Sequence, residues 1–269
     1  MAGLGVVAQL VGFVSRALPQ FNVDNSSAIQ NVRVGSYGEL AANTYLTKKH
    51  ALAAEGSYFV TTNPTPGTGV GAGPLAASYA NTAPWFIFQN NNPAGGPIAY
   101  LDYLKMILTV AGGGGTVTNL NFAVWRDILT PMSTFVTTAT SLVVATPNNI
   151  NGVQGASSKC VFGYQGGSTA IVAKAPSAAA AIVGRASLGA SGTAGAGLVG
   201  EEWVLDFGST DPAPIQGLTA TGAATCGRKV AVLPPVICPP QQQVVIVPWF
   251  PTLTTTGFNY EFELGHIER

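Results

Sequence analysis

Along the C-terminal stretch Gly257–Arg269, Phe258, Tyr260, Phe262 and Leu264 alternate with Asn259, Glu261, Glu263 and Gly265. Successive side chains of an extended chain point to opposite faces, so this period of two predicts a half-buried strand. Gln243–Phe250 (QVVIVPWF) is a second β-rich run, and the Thr-rich segment Leu253–Gly257 between them is short. The two runs are therefore expected to pair as a terminal antiparallel hairpin. A strong amphipathic strand needs other strands to receive it. Candidates recur upstream: VRVGSY after Asn31, SYFVTT (Ser57–Thr62), WFIFQ (Trp85–Gln89), SLVVAT (Ser141–Thr146) and KCVFGYQ (Lys159–Gln165). EWVLDF (Glu202–Phe207) directs Trp203, Leu205 and Phe207 inward, and KVAVL (Lys229–Leu233) follows. Ile98–Val110 and Asn119–Arg126 flank Gly112–Gly115 and read as an internal hairpin, with Leu120, Phe122 and Val124 on one face.

Breaker clusters separate these runs. NPTPGTGVGAGP from Asn63 cannot be a sheet interior, NNNPAGGP from Asn90 reads as a turn, and Pro234-Pro235 and Pro239-Pro240 bracket a short VIC run. The sum is roughly ten to twelve short strands and almost no amphipathic helix, which predicts an all-β, antiparallel β-sandwich that is jelly-roll-like. No fixed repeat period points to a propeller or β-helix. Before the sandwich, Leu4–Leu18 reads as a short apolar arm or helix ended by Pro19. Leu4, Val7, Leu10, Val11, Phe13, Val14 and Leu18 are not confined to one stripe, so the segment needs burial on most sides and is the candidate partner-docking surface. The expected organisation is an N-terminal arm over 1–45 and a sandwich domain over 46–269. The apolar start is too short to span a bilayer and lacks a preceding basic residue, so an intracellular product with no membrane anchor is expected.

Charge changes the picture. Only 9% of the 269 residues are charged, with 12 Lys and Arg against 12 Asp and Glu, and Gly alone contributes 33. A surface with so few charges and no net charge favours association, so other chains are expected to cover much of it. The basic residues form no stripe, which argues against a nucleic-acid partner. Lys48-Lys49 and Arg228-Lys229, the two basic pairs, read as solvated strand ends. After Val172 the chain becomes low in complexity, with Ala178–Ala181 and then GASGTAGAG up to Gly197; an exposed loop and a close contact at a symmetry axis are both open readings. The three cysteines, Cys160, Cys226 and Cys238, are too few and odd in number for a disulfide framework. Buried free thiols are expected, with a Cys226–Cys238 bridge as the alternative.

Candidate chemistry is sparse. His50 and His266 have no Cys, Asp or Glu at metal-ligand spacing on a helix, so neither a metal nor a cofactor is expected. Glu261 and Glu263 share a strand face and would suit paired carboxylate catalysis only at the right separation; solvation of an outward face is the simpler role. Asp206 and Asp211, after Glu201-Glu202, lie at a strand end without an EF-hand spacing, which favours a turn and cap role. The four glycines from Gly112 lack a following G-K-[ST], and no G-x-S-x-G elbow is present. No catalytic residue is assigned, and an enzyme is not expected.

Three stretches carry a resemblance: EGSYFVTTNPTPGTGV (Glu55–Val70), FQNNNPAGGPIAYLDYLKM (Phe88–Met106) and the ending TTGFNYEFELGHIER. Together they resemble a family of structural proteins of tailed phages, over most of the chain from about residue 50. The shared features are a PTPGTG loop, an N-N-N-P-A-G-G turn before a L-D-Y-L strand, and an E-F-E-L-G-x-x-E-R terminus. The resemblance implies a β-sandwich virion component and brings no catalytic residues. With the low charge and the apolar arm, it leads us to expect a capsid decoration (cement) protein: a homotrimer docked on the major capsid protein, in the virion. The alternatives are a tail or fibre component that binds host surface glycans, with Trp85, Trp125 and Trp249 as candidates, and a self-assembling shell protein.

Overall fold

The computed structural model describes residues 33–34, 40–41, 48–71, 77–110, 119–138, 142–152, 157–167, 170–189, 199–208, 228–250 and 258–269. The docking residues proposed between Leu4 and Leu18, and also Asp211 and Cys226, lie outside these. The chain divides into two compact units, Met1–Glu55 and Gly56–Arg269. In the first unit, β1 (Arg33–Val34) pairs antiparallel with β2 (Leu40–Ala41), and α1 spans Lys48–Ala54. Lys48-Lys49 thus opens a helix and not a strand end, because KKHALAA is composed mostly of good helix formers.

The second unit is two packed sheets. Its strands are β3 (Tyr58–Thr62), β4 (Val70–Gly71), β5 (Phe86–Asn90), β6 (Ala99–Val110), β7 (Asn119–Ile128), β8 (Val136–Thr138), β9 (Leu142–Ala145), β10 (Asn148–Asn149) and β11 (Cys160–Gln165). They continue with β12 (Val172–Ala173), β13 (Ala181–Gly189), β14 (Glu202–Phe207), β15 (Arg228–Leu233), β16 (Val236–Cys238), β17 (Gln242–Trp249) and β18 (Asn259–Glu268); α2, Met132–Phe135, precedes β8. One sheet runs β10-β3-β18-β6-β14-β15, with β16 also on β6 and β4 on β18; the other runs β13-β7-β17-β5-β11-β9.

Eight of these strands explain the order. Taking β3, β5, β6, β7, β13, β14, β17 and β18 as first to eighth, the first pairs the eighth, the second the seventh, the third the sixth and the fourth the fifth, all antiparallel. The first sheet then reads first-eighth-third-sixth and the second reads second-seventh-fourth-fifth, which is a jelly roll. Residues 129–180 are an insertion between the fourth and fifth strands. It adds β11 and β9 to the second sheet and lays α2, β8 and β12 over that sheet's outer face. The parallel β14–β15 pair extends the other edge.

This topology overturns both expected hairpins. β6 and β7 lie in different sheets, as do β17 and β18, because a jelly-roll chain steps from sheet to sheet at those points. Alternation reports that a strand has a buried face; it carries no information about which strand lies beside it. The low-complexity stretch is corrected in part too, since Ala181–Gly189 is a nine-residue strand on β7. There small side chains serve a close approach: a Cβ on Gly184 would sit 3.1 Å from Leu233 Cδ2, where the β13 and β15 edges meet. Likewise Val70–Gly71, inside the supposed loop from Asn63, pairs with the start of β18.

Between the sheets lies the main core, in which Phe86, Phe88, Phe122, Phe162, Trp203, Tyr260, Phe262 and Leu264 are buried. Trp203, Leu205 and Phe207 face it as their alternation predicts. A second cluster, including Ile87, Trp125, Phe135 and Val245, fills the space under the insertion, so β5 and β17 are buried on both faces. On the opposite sheet's outer face, Gly265 sits between two tyrosines. A Cβ there would lie 2.6 Å from both Tyr103 Cε1 and Tyr58 Oη. Tyr58 donates to Asp102 at 2.5 Å and Tyr103 donates to Glu263, so neither ring is free to swing away. Gly265→Ala is expected to destabilise the protein by about 1–3 kcal/mol through overpacking, read as a lower urea midpoint at unchanged slope. Among the described residues, no helix is long and apolar enough to cross a membrane.

Candidate functional site

The inward face of β18 does not stop at Leu264. Phe258, Tyr260, Phe262, Leu264, His266 and Glu268 share one parity, so the same alternation that builds the core carries a histidine and a carboxylate into the end of the sandwich. Across from them, β11 presents Tyr164, Phe162 and Cys160 on its inward face. The ring centroids of Tyr164 and Phe262 are 4.5 Å apart and those of Phe162 and Phe262 are 5.3 Å apart, so the two strands face each other. One step further along, Cys160 meets His266 and Glu268. Their donor atoms all lie within 4.8 Å of one another.

β6 is shaped to let β18 run this far. It spends twelve residues opposite ten of β18, with register shifts between Asn259 and Tyr260 and between Gly265 and His266. At the second shift two residues of β6, Asp102 and Tyr103, fall between Leu101 and Leu104, both buried, and the inward phase of that strand switches from odd to even positions. Leu101 pairs with His266, and Glu268 pairs with Ala99.

His266 is fully buried, its ring stacked on Phe59 at 5.4 Å and edge-on to Phe88 at 4.9 Å. Its Nε2 lies 3.0 Å from Glu268 Oε1, while its Nδ1 has no hydrogen-bond partner among the described residues. Ser158 donates its hydroxyl to the same Glu268 oxygen, and its oxygen accepts from the Cys160 amide at 3.0 Å. Burial lowers the basicity of His266 and outweighs the pull of Glu268, so the imidazole is held neutral. For Glu268, burial opposes the charge, but hydrogen bonds from His266 and Ser158 prevail and hold the carboxyl below its ordinary value. Burial first, and then the neighbouring Glu268 carboxylate, push the Cys160 thiol well up. Cys238, also a buried thiol, is pushed up to about 12 by burial, and the Cys226 end of the alternative bridge lies outside the described residues.

Both shifts at the His266–Glu268 pair have the same sign. Each group binds a proton less readily folded than unfolded, so stability is present above the unfolded pKa values and is lost as the pH falls. The first loss begins below the histidine's ordinary 6.5 and a second below the carboxyl's ordinary 4.5. Urea unfolding of the wild type is expected to show a lower midpoint at pH 5.5 than at pH 7.5. His266→Gln should flatten that step, and an equal step in the variant would refute the assignment.

The arrangement contains a thiol, an imidazole and a carboxylate, but not an activated nucleophile. A catalytic cysteine needs a lowered pKa and access, and Cys160 has neither. Thiol, imidazole and carboxylate are, however, the ligand types of a zinc site. Metal-ligand spacing on a helix does not report this set, because its members lie on two strands. Its readable signal is the parity of His266 and Glu268 with Phe258–Leu264; the partner Cys160 comes from a distant strand that no local spacing reveals.

The other sequence-derived candidates are dispersed. Glu261 and Glu263 lie outward on β18: Glu261 accepts from the Gly67 amide, and Glu263 pairs with Lys105 at 3.2 Å and accepts from Tyr103. Asp206 is on the outward face of β14. Glu201 is not a solvated loop ligand, since it is fully buried and holds Lys229 at 2.5 Å and the Trp203 indole at 2.8 Å. Lys229 is accordingly no solvated strand end, whereas Arg228 is exposed and 3.7 Å from Glu202. Trp85 is in the main core. Trp125 and Trp249 lie on the second sheet's outer face, where Tyr79, 39% exposed, stands 6.5 Å and 5.2 Å from them. Comparison of the chain with protein-family models, with curated proteins and with solved structures finds no match to any of them.

Proposed function

We propose that this chain is a virion structural protein of a tailed phage, acting as a decoration (cement) protein that binds as a homotrimer between major capsid subunits. The observation that carries the reading is a jelly-roll sandwich with little charge and with apolar side chains exposed along one edge. On β9 and just beyond β10, Val143, Val144 and Ile150 are 38%, 52% and 49% exposed. An edge strand ordinarily carries charge or proline as protection, and β9, Leu-Val-Val-Ala, has neither. Such an edge fits a protein whose working state buries it against other chains. Many identical weak contacts around a shell would add by multivalency. The resemblance of Glu55–Val70, Phe88–Met106 and the C-terminus to phage structural proteins supports the same class.

A second reading, a self-assembling shell protein, is favoured by the strand order itself, because jelly rolls recur in viral capsid domains. Quantitative mass spectrometry of density-purified particles tests both. A copy number comparable to that of a separate major shell protein is expected for decoration. This chain as the dominant component would favour the shell reading, a copy number far lower would favour a tail role, and absence from particles would refute a virion function. Deletion of residues 1–20 is expected to leave a folded sandwich that no longer occupies heads; unchanged occupancy would show that the apolar arm is not the anchor.

A further inference from the structure

We propose that Cys160 Sγ, His266 Nε2 and the Glu268 carboxylate together bind one zinc-class divalent cation, which links the two sheets at this end of the sandwich. The three donors converge from opposite sheets, β11 on one side and β18 on the other, with their ligand atoms within 4.8 Å of one another. Around a tetrahedral ion with bonds of about 2.0–2.3 Å, ligand atoms sit about 3.3–3.8 Å apart, so the site needs a contraction of about an ångström. Thiolate and imidazole select zinc-class ions over magnesium and calcium, which take oxygen ligands.

The hydrogen bonding of the cluster fits such an exchange. The His266 ring and the Ser158 hydroxyl direct protons at one carboxylate, Glu268, and the Cys160 sulfur lies within 4.8 Å of it. The cation would replace the Cys160 proton and the His266 Nε2 proton. Binding releases the Cys160 proton to solvent as the metal–sulfur bond forms, and the His266 proton moves from Nε2 to Nδ1, leaving the imidazole neutral. No partner on Nδ1 fixes the opposite tautomer, so the group facing Nε2 decides it. The ring's orientation is already set by Phe59 and Phe88. Cys160 and His266 are fully buried and only Glu268 is partly exposed, so an ion could reach the cluster past Glu268 while the donors have little room for a substrate, and the site is structural. It would act as a cross-link between sheets in a chain whose Cys160 and Cys238 are both free.

The test is titration of the full-length reduced protein, stripped with chelator, with Co(II) alone. A single equivalent should give a thiolate-to-cobalt charge-transfer band and strong visible bands of four-coordination, both removed by one equivalent of Zn(II), and zinc should raise the thermal midpoint. Cys160→Ser should abolish the charge-transfer band. Glu268→Gln, which keeps the shape and one neutral oxygen, should weaken cobalt binding roughly tenfold or more. Cys226→Ser and His50→Gln should leave the titration unchanged. The proposal is overturned if the folded wild type takes up no cobalt, if the band survives Cys160→Ser, or if it disappears in Cys226→Ser. Should Cys160→Ser fail to fold, the wild-type titration and Glu268→Gln decide alone, and full affinity in Glu268→Gln would also overturn it.

Discussion

Glu201→Ala is expected to lower the unfolding free energy by about 3–5 kcal/mol, the range for breaking a buried ion pair from one side. Glu201 is fully buried just before β14, and one of its oxygens, Oε1, serves both Lys229 Nζ at 2.5 Å and Trp203 Nε1 at 2.8 Å. Lys229 is itself only 12% exposed, so removing the carboxylate deprives an ammonium, in a place water scarcely reaches, of a counter-charge 2.5 Å away. The same change orphans the indole N–H of a tryptophan that is packed edge-on to Phe258 at 5.2 Å. Three elements are therefore loosened at once: β14, β15 and the start of β18. For a domain of this size the loss corresponds to roughly 6–20 °C in thermal midpoint. Calorimetry or urea titration checks it. Glu201→Gln paired with Lys229→Met, which removes both charges while keeping volume and an acceptor for the indole, should recover most of the loss. If the single alanine variant unfolds within about 1 kcal/mol of wild type, the pair is hydrated in solution and the burial argument fails.

Glu201 also marks where the sequence stops being legible. The strand beside it was plain, because Trp203, Leu205 and Phe207 alternate with Glu202, Val204 and Asp206. The carboxylate before it reads as part of a strand-end turn and cap group, since nothing local announces that Lys229, brought alongside by a parallel pairing, will meet it. The same division holds elsewhere. β3, β5, β9, β11, β14, β15, β17 and β18 fall where local alternation or β-branched runs predict them. Their partners do not, because pairing in a jelly roll joins first to eighth and second to seventh, and such long-range choices leave no periodic trace. The shift of phase in β6 was half visible: Leu101 and Leu104 are three apart in a strand, a spacing that only an extra residue can reconcile with two inward positions. At the candidate site, His266 and Glu268 were readable as inward once the parity of β18 was carried past Leu264. Cys160 was readable as inward from Phe162 and Tyr164. Their meeting was not, because it depends on which strands lie opposite each other across the core.

Trp85→Ala is expected to be equally severe, costing about 3–5 kcal/mol, because the ring lies where the two sheets are joined. Trp85 stacks on Tyr260 at 5.6 Å and 17°, and meets Phe258 at 5.6 Å, Phe250 at 5.8 Å, Phe122 at 6.3 Å and Phe86 at 6.4 Å. Tyr260 is on β18 and Phe258 immediately precedes it, whereas Phe86 and Phe122 belong to the opposite sheet, so truncation opens a cavity across the interface between them. The main chain cannot slide to fill it: the Trp85 amide donates to Ile246 O at 3.0 Å and its carbonyl accepts from Gln165 N at 2.9 Å, which holds the residue between β17 and β11. Trp85→Phe, retaining an apolar ring in the same place, should lose markedly less than the alanine variant. Paired urea curves for the two variants check the order. The result also separates roles for the tryptophans, since a sugar-binding Trp85 would lose affinity on truncation while leaving stability intact. Of the aromatic group on the second sheet's outer face, Tyr79 is 39% exposed and Trp249 partly buried, whereas Trp125 is buried. A stability change within about 1 kcal/mol in Trp85→Ala would overturn the core assignment.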